Sequence, residues 1–340
     1  MTKNKPVVVT GAAGFIGSHI SQFLAKAGHF VVAIDDLSLG KKDNLPKDKN
    51  IQFIKCDLTQ SEPTAKIIDT YKPQLIYHLA AWAHEGLSQF LPITITQTNY
   101  NAFLNLIVPA VNNKLEKIVV FSSMSVYGNQ TPPFDENMPR KPVDIYGIAK
   151  TAMENATEVL AGVYKFNYVI VRPHNVYGPR QSMIDPYRNV VAIFINRLLN
   201  KKPFYIYGSG MQKRAFTYID DLTPYVIKAG LDGRVKNQIY NIGPRQEYTI
   251  NDLAKIILKE LGSNLRPKYL PKRPAEVDEA FCTSTKAERE LGFSHITSLE
   301  EGIRKTVAWA KKLGYQKPRY LDELEIHSIL IPKTWRRKLI

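Results

Sequence analysis

Apolar residues fall in short blocks along the first half of the chain, and the blocks follow two different periods. Val7 to Thr10, Phe30 to Ile34, "IQFIKCDL", "PQLIYHLAA" and "EKIVVFSS" are nearly continuous apolar runs of strand length. Continuous rather than alternating runs predict strands buried on both faces. Between them, Phe15, Ile16, Ile20, Phe23 and Leu24 recur at helical spacing, and further helical stretches lie around 62–71 and 93–113. Such alternation predicts an α/β fold, a doubly wound parallel sheet with helices on both faces. Ligands of these sheets bind at the carboxyl ends of the strands. "HLAA" and "SSMSVYG" end two of the strands and therefore face that cleft. "QIYNIG", residues 238–243, reads as a strand returning to the same sheet, and no linker-like, repetitive or low-complexity stretch divides the chain.

The first β-α-β unit, "PVVVTGAAGFIGSHISQFLAKAGHFVVAIDDL", carries glycines at 11, 14 and 17 between strand and helix. Only in this context does the glycine pattern point to a dinucleotide. Gly11 permits the tight turn, Gly14 lets backbone approach a pyrophosphate, and Gly17 lets helix pack on strand. The helix N-terminus then presents its open N–H groups and dipole to the phosphates. Asp35 ends the second strand, where a carboxylate binds ribose hydroxyls and repels a 2′-phosphate. With Asp36 beside it and no arginine nearby, the expected cofactor is NAD rather than NADP.

Composition narrows the setting. A chain of 340 residues, 44% apolar, can bury one large core or two joined ones. Cys56 and Cys282 have no metal-ligand spacing and form no disulfide framework, so a reducing cytosol is the expected compartment. The N-terminus runs straight into a strand without a charged-then-apolar leader, and no apolar run approaches the roughly 18 residues of a membrane span. A net charge of +15 fits nucleic acid, anionic membrane or polyanionic small substrates. The lysines are scattered, however, and no nucleic-acid motif interleaves them with aromatics. The one compact basic cluster is the tail "PKTWRRKLI", expected to be solvated, with contact to a membrane surface or partner as the alternative.

"VDIYGIAKTAMEN" sets Tyr146 and Lys150 four residues apart at the start of a predicted helix. Residues at this spacing are neighbours, and an ammonium beside a phenol favours the phenolate. Moving a phenol from about 10 to about 7 takes roughly 4 kcal/mol, which would make a general base for a sugar or alcohol hydroxyl. Taken alone, the pair is weak evidence, because tyrosine and lysine often fall at this spacing by chance on a helix face.

"TGAAGFIG", "CDL", "HLAA", "SSMSVYG", "YGIAK" and "RPHNVYGPR", in that order, resemble the extended short-chain dehydrogenase/reductases, and more narrowly the NAD-dependent nucleotide-sugar epimerases of the UDP-glucose 4-epimerase group. The resemblance spans roughly residues 5–312. It implies a Rossmann domain of residues 1–172 plus about 236–243, a nucleotide-sugar lobe of about 173–235 and 244–315, and an unmatched tail, 316–340. It makes Tyr146 and Lys150 catalytic. Counting back four residues from Tyr127 of "VYG" gives Ser123 as the hydroxyl that holds the reacting sugar.

The cofactor contacts it implies are Gly11, Gly14, Phe15, Ile16 and Gly17 on the pyrophosphate and Asp35 on the ribose. Asp57 and Leu58 flank the adenine, Ala80 and Ala81 line the strand end, and Asn99, Lys150 and Pro173 approach the nicotinamide. Where the family commonly has Gly-Thr after that asparagine, this chain has Ala102 and Phe103, which bears on packing. The implied substrate contacts are Asn175, Asn189, Arg214 and Arg273 on the diphosphate, Glu276 on the uridine ribose, Tyr207 near the uracil and Ala280 facing the sugar's C2 substituent. Dehydratase relatives carry an Asp-Glu pair where this chain has Met124 and Ser125, and decarboxylase relatives a glutamate where Ser125 stands. The implied reaction is C4 epimerisation of a UDP-sugar, glucose/galactose or N-acetylhexosamine. The alternatives are a UDP-glucuronate 4-epimerase, a nucleotide-sugar reductase, or a non-catalytic NAD- or RNA-binding relative. A homodimer paired through the helices around 93–113 and 146–163 is also implied.

Overall fold

In a computed structural model, residues 5–273 and 277–340 are described. Seven strands form one parallel sheet: β1 (Val7–Thr10), β2 (Val31–Asp35), β3 (Ile51–Lys55), β4 (Leu75–His78), β5 (Lys117–Phe121), β6 (Asn167–Pro173) and β7 (Gln238–Ile242). Their order is β7-β6-β5-β4-β1-β2-β3. The direction of winding reverses between β1 and β4, and the cleft of such a fold opens above their carboxyl ends.

The continuous apolar runs have the expected consequence in β1, β2, β4 and β5, whereas β3, at the sheet edge, is only partly buried. Val8, Val32, Ile76, Ile118 and Val120 are buried on one face of the sheet, while Val7, Val9, Ala33, Tyr77 and Val119 are buried on the other. The period-2 alternation of strand side chains thus feeds two cores from one sequence block. The second face is shared. Phe194, Phe204, Ile206, Leu253, Ile257 and Ile303, from outside the sheet, belong to the same buried cluster as β1 and β5.

Those residues come from a second lobe of short strands and three longer helices, Val190–Leu199, Ile250–Leu261 and Leu299–Leu313. Lys213–Ala215 pairs antiparallel with Glu247–Thr249 and parallel with Glu279–Ala280, and Tyr205–Tyr207 pairs parallel with Lys268–Leu270. Thr249 begins the Ile250–Leu261 helix with a reciprocal capping box to Asp252, which satisfies two donors at an otherwise open helix end. The lobe therefore shares its core with one face of the sheet, and its strand residues Tyr205, Tyr207, Arg214 and Ala280 line the cleft.

One expectation fails here. The tail does not run free in solvent: Trp335 is buried and Thr334 is fully covered. Trp335 packs edge-on against Phe90 and Tyr187, at ring-centre distances of 6.4 and 5.3 Å. The basic residues Lys333 and Arg336 flank an apolar face, and burial of the indole outweighs solvation of its neighbours.

Candidate active site

A cleft of about 890 Å³ runs between the strand ends and the second lobe. On its sheet side the turn after β1 is shaped for close approach. Gly11 has φ +63°, and a Cβ there would sit 2.8 Å from the Ala80 amide nitrogen. A Cβ on Gly17 would strike the Gly11 carbonyl at 2.1 Å. The Phe15–Lys26 helix opens on Gly14 with no side-chain cap, so its first amides stay available to an anion. Asp35 stands at the end of β2, with its carboxylate accepting from the Ala13 and Leu37 amides at 3.0 and 2.8 Å. Burial pushes its carboxyl up, against the pull of those two amides. Backbone, dipole and carboxylate together fit a dinucleotide with a free 2′-hydroxyl.

At the centre of the cleft lies the Ile145–Tyr164 helix. Asp144 caps it, accepting from the Gly147 amide at 2.7 Å, which fixes Tyr146 in the first turn. Burial, followed by the charge of Glu85, pushes the Asp144 carboxyl up to about 7. Ser123 begins a tight turn over Met124–Val126, where its hydroxyl accepts from the Ser125 amide at 3.1 Å. The same hydroxyl hydrogen-bonds the Tyr146 phenol. Lys150 is fully enclosed: Nζ donates to the Phe121 carbonyl at 2.6 Å and lies 5.8 Å from the Tyr146 ring centre.

The protein alone does not create the phenolate expected from this pair. Burial pushes the Tyr146 phenol up, and Glu85 adds to the rise, while Arg188 and Ser123 only partly oppose it. Burial also pushes Lys150 down, to about 7. Spacing alone suggested an ammonium beside a phenol and said nothing of burial. The physical reason for the difference is desolvation, which disfavours the charged form of both groups.

Below the pair, a buried ion pair fixes the helix to β6. Arg172 donates to both oxygens of Glu154, at 2.9 and 2.6 Å, and to the Tyr127 hydroxyl at 2.6 Å. Tyr127 in turn donates to Asn241 of β7 at 2.8 Å. Glu154 follows Lys150 by one helical turn, and its charge is the main influence holding that ammonium up. Sequence reasoning passed over Glu154 and Arg172. The signal was there: Glu154 is i+4 from Lys150, and Arg172 immediately precedes Pro173. It also passed over the buried His84–Asp185 pair, 2.9 Å apart, whose Asp185 lines the cleft.

The cleft gathers almost every residue singled out from sequence. Gly11, Gly14, Phe15, Ile16, Gly17 and Asp35 line it together with Asp57, Leu58, Ala80, Ala81 and Pro173. Ser123, Tyr146 and Lys150 line its centre, and Asn175, Asn189, Tyr207, Arg214, Arg273 and Ala280 its other side. Two stand apart. Asn99 is buried behind the wall, its carboxamide accepting from the Trp82 amide and donating to the Trp82 carbonyl, so it shapes the loop after β4 rather than lining the cleft. Glu276 lies outside the described residues. Arg214 turns its guanidinium to the backbone carbonyls of Lys213, Val277 and Asp278, and Arg273 stacks 4.7 Å over Tyr207. No group of His, Cys, Asp and Glu among the described residues could hold a metal ion.

A doubly wound sheet, a glycine turn for a pyrophosphate, and serine, tyrosine and lysine converging at the strand ends define a dinucleotide-dependent enzyme of the short-chain dehydrogenase/reductase class. The chain belongs to the NAD dependent epimerase/dehydratase family, whose profile matches residues 7–243. It is 31% identical over 320 residues to the UDP-glucuronate 4-epimerase of Thermodesulfobacterium geofontis, covering 90% of this chain and 96% of that one. The UDP-glucose 4-epimerase of Thermotoga maritima, solved with UDP-glucose, superimposes with a TM-score of 0.86 at 33% identity, covering 91% and 99%. The UDP-N-acetylglucosamine 4-epimerase of Methanobrevibacter ruminantium, solved with UDP-N-acetylmuramic acid, does so with a TM-score of 0.84 at 34%, covering 91% and 98%. NAD is the family's cofactor, and the turn after β1 fits it.

Proposed function

We propose that this chain is an NAD-dependent epimerase that inverts C4 of a UDP-sugar through a 4-keto intermediate, in the glucose/galactose or N-acetylhexosamine series. One observation carries the reading: Tyr146, bonded to Ser123 and next to Lys150, lies at the strand ends where Met124 and Ser125 offer no carboxylate for dehydration or decarboxylation. Three groups suffice for oxidation and return at one carbon.

Tyr146 takes the C4 hydroxyl proton, and Ser123 holds that hydroxyl in line. NAD, held by the glycine turn and Asp35, would supply the hydride acceptor and donor for C4. Because burial raises the phenol, Tyr146 keeps its proton until positive charge is assembled around it, so the base is armed only in the loaded site. Lys150 is anchored on the Phe121 carbonyl, ready to contribute part of that charge. The keto sugar must turn over between the two half-reactions, which calls for firm contacts on the diphosphate and loose ones on the ring. Asn175, Asn189 and Arg273 supply the firm contacts. Asn189 opens the Val190–Leu199 helix without a side-chain cap, so that helix end also favours anions. Arg214 braces the Val277–Ala280 wall through the carbonyls it binds.

A second reading is favoured by Arg188. It lines the cleft, its Nε is buried without a partner, and its charge reaches Tyr146 and Lys150. A cation on the cleft wall whose charge reaches Tyr146 suits an acidic sugar, as in a UDP-glucuronate 4-epimerase.

The deciding experiment incubates the purified protein, without added reductant, with UDP-glucose, UDP-N-acetylglucosamine and UDP-glucuronate, and identifies C4 epimers. A need for stoichiometric NADH would instead indicate a reductase. RNA affinity without turnover would indicate a binding protein, a role against which the intact Tyr146 and Lys150 count. We further propose a cytoplasmic homodimer without nucleic acid. Exposed Ile93, Val108, Ile148, Val159 and Val163 on the helices around 92–112 and 145–164 support the dimer. Two free, buried cysteines suit a reducing compartment. Among the described residues no helix is long and apolar enough to cross a membrane.

A further inference from the structure

The segment after the Leu299–Leu313 helix crosses the cleft and returns. It leaves the second lobe at Gln316, whose backbone N–H and C=O are both met by the Asn196 carboxamide, at 3.0 and 2.8 Å. The Leu321 amide then donates to the Tyr187 hydroxyl at 2.9 Å. On the sheet side, Glu325 accepts from the Ile93 and Thr94 amides at 2.7 and 2.8 Å and from the Thr94 hydroxyl. That carboxylate caps the helix beginning at Pro92 and suits its dipole. The Glu325 and Ile326 amides both donate to the Phe90 carbonyl. The chain then turns back, and the Thr334 hydroxyl meets the Tyr207 hydroxyl of the second lobe. Ile340 closes the segment, with its amide donating to the Tyr320 hydroxyl and its carbonyl accepting from it, at 2.7 and 2.9 Å.

This path brings Pro332, Trp335 and Ile340 into the wall of the cleft that holds Tyr146. Trp335 shares an apolar cluster with Tyr146, Leu87 and Phe90, which sets its indole in the Tyr146 part of the cleft rather than beside the adenine-side residues Asp57 and Leu58. A hydroxyl deprotonated by Tyr146 belongs to the sugar, and Trp335 lines the same cleft as Tyr146. The Thermotoga and Methanobrevibacter structures align over 99% and 98% of their length but over only 91% of this chain. About a tenth of the chain therefore has no counterpart in them, a share that accommodates this segment.

We propose that the C-terminal segment 316–340 is a wall of the sugar pocket and that Trp335 is a specificity-determining residue, its indole bounding the space in which the sugar ring turns. This rests on the reading of the cleft as a UDP-sugar site. An aromatic face presents apolar surface to the C–H face of a pyranose while leaving its hydroxyls to polar groups.

The test is calorimetric binding of UDP and of UDP-sugar to the full-length, NAD-loaded protein and to Trp335→Ala. The expected result is UDP affinity unchanged and UDP-sugar affinity weakened at least about tenfold, the loss of roughly one aromatic contact. Trp335→Phe, which retains an aromatic wall, should fall between the two and serves if the alanine variant does not fold. Equal weakening of both ligands would mean a structural role only, and no change in either would mean that the indole does not border the sugar; both overturn the proposal. Wild-type protein that binds neither ligand sinks the functional reading itself, and this proposal with it.

Discussion

On the cofactor side of the cleft, Gly11, Gly14, Gly17, Asp35, Asp57 and Leu58 all fall within one stretch of chain shorter than sixty residues. On the facing side the lining comes from segments far apart in sequence, with Ser123, Asn189, Tyr207, Ala280 and Trp335 each delivered by a different part of the fold. The first wall is backbone shape and a helix end, fixed by local turn chemistry. The second is side chains, brought together only by tertiary packing. A dinucleotide looks the same to every relative, so a short rigid motif serves it. The sugar differs from one relative to another, and it meets the wall assembled from replaceable pieces.

The sharpest break in that comparison comes where the walls meet. Tyr146→Phe should lower turnover by about 10²–10⁴-fold, the usual loss of general acid–base help, while NAD remains bound in the purified protein. Near-normal turnover would show that the base lies elsewhere. On the substrate wall, Ala280 lies in the Glu279–Ala280 strand beside Arg214 and packs near the Tyr127–Phe134 stack. Ala280→Tyr should abolish interconversion of UDP-N-acetylhexosamines and spare any glucose–galactose activity, because a larger side chain blocks the substituted ring in one of its two orientations. If that variant converts the N-acetylated pair as wild type does, the gate is not at this strand.

On the cofactor wall a smaller change is expected. Asp35→Ala should narrow the preference for NAD over NADP, read as the ratio of binding affinities, because a carboxylate no longer opposes the 2′-phosphate. Equal binding of both cofactors by the native protein would contradict the role given to this strand end. The smallest effect belongs to the tail. Glu325→Ala should cost about 1 kcal/mol of stability, as the loss of a helix cap does, visible as a lower melting temperature with cofactor affinity intact. An unchanged melting temperature would mean that the tail is not fastened at this point.

These contrasts also explain what could be read without coordinates. Val7–Thr10, the glycine turn and Asp35 were legible because local physics dictates them: strand period, turn geometry and a helix dipole. Tyr146, Lys150 and Ser123 were legible only through resemblance, since the spacing of two residues says nothing about what buries them. The raised Tyr146 phenol escaped prediction for the same reason, because desolvation depends on neighbours such as Glu85 and on the depth of the cleft. The tail was the plainest miss. "PKTWRRKLI" reads as basic and soluble by composition, and nothing local to it reveals that Phe90, Tyr187 and Tyr207 wait across the cleft to receive Trp335 and Thr334.

Hydride tracing tests the central claim most directly. A UDP-sugar carrying deuterium at C4, chosen from the series the protein converts, would be turned over in ordinary water with no added nicotinamide. Oxidation and return at one carbon predict that the C4 epimer forms with the deuterium still at C4 and that NAD remains bound to the protein throughout. Epimer formed with the label lost to solvent, or turnover only while external NADH is consumed, would contradict the account.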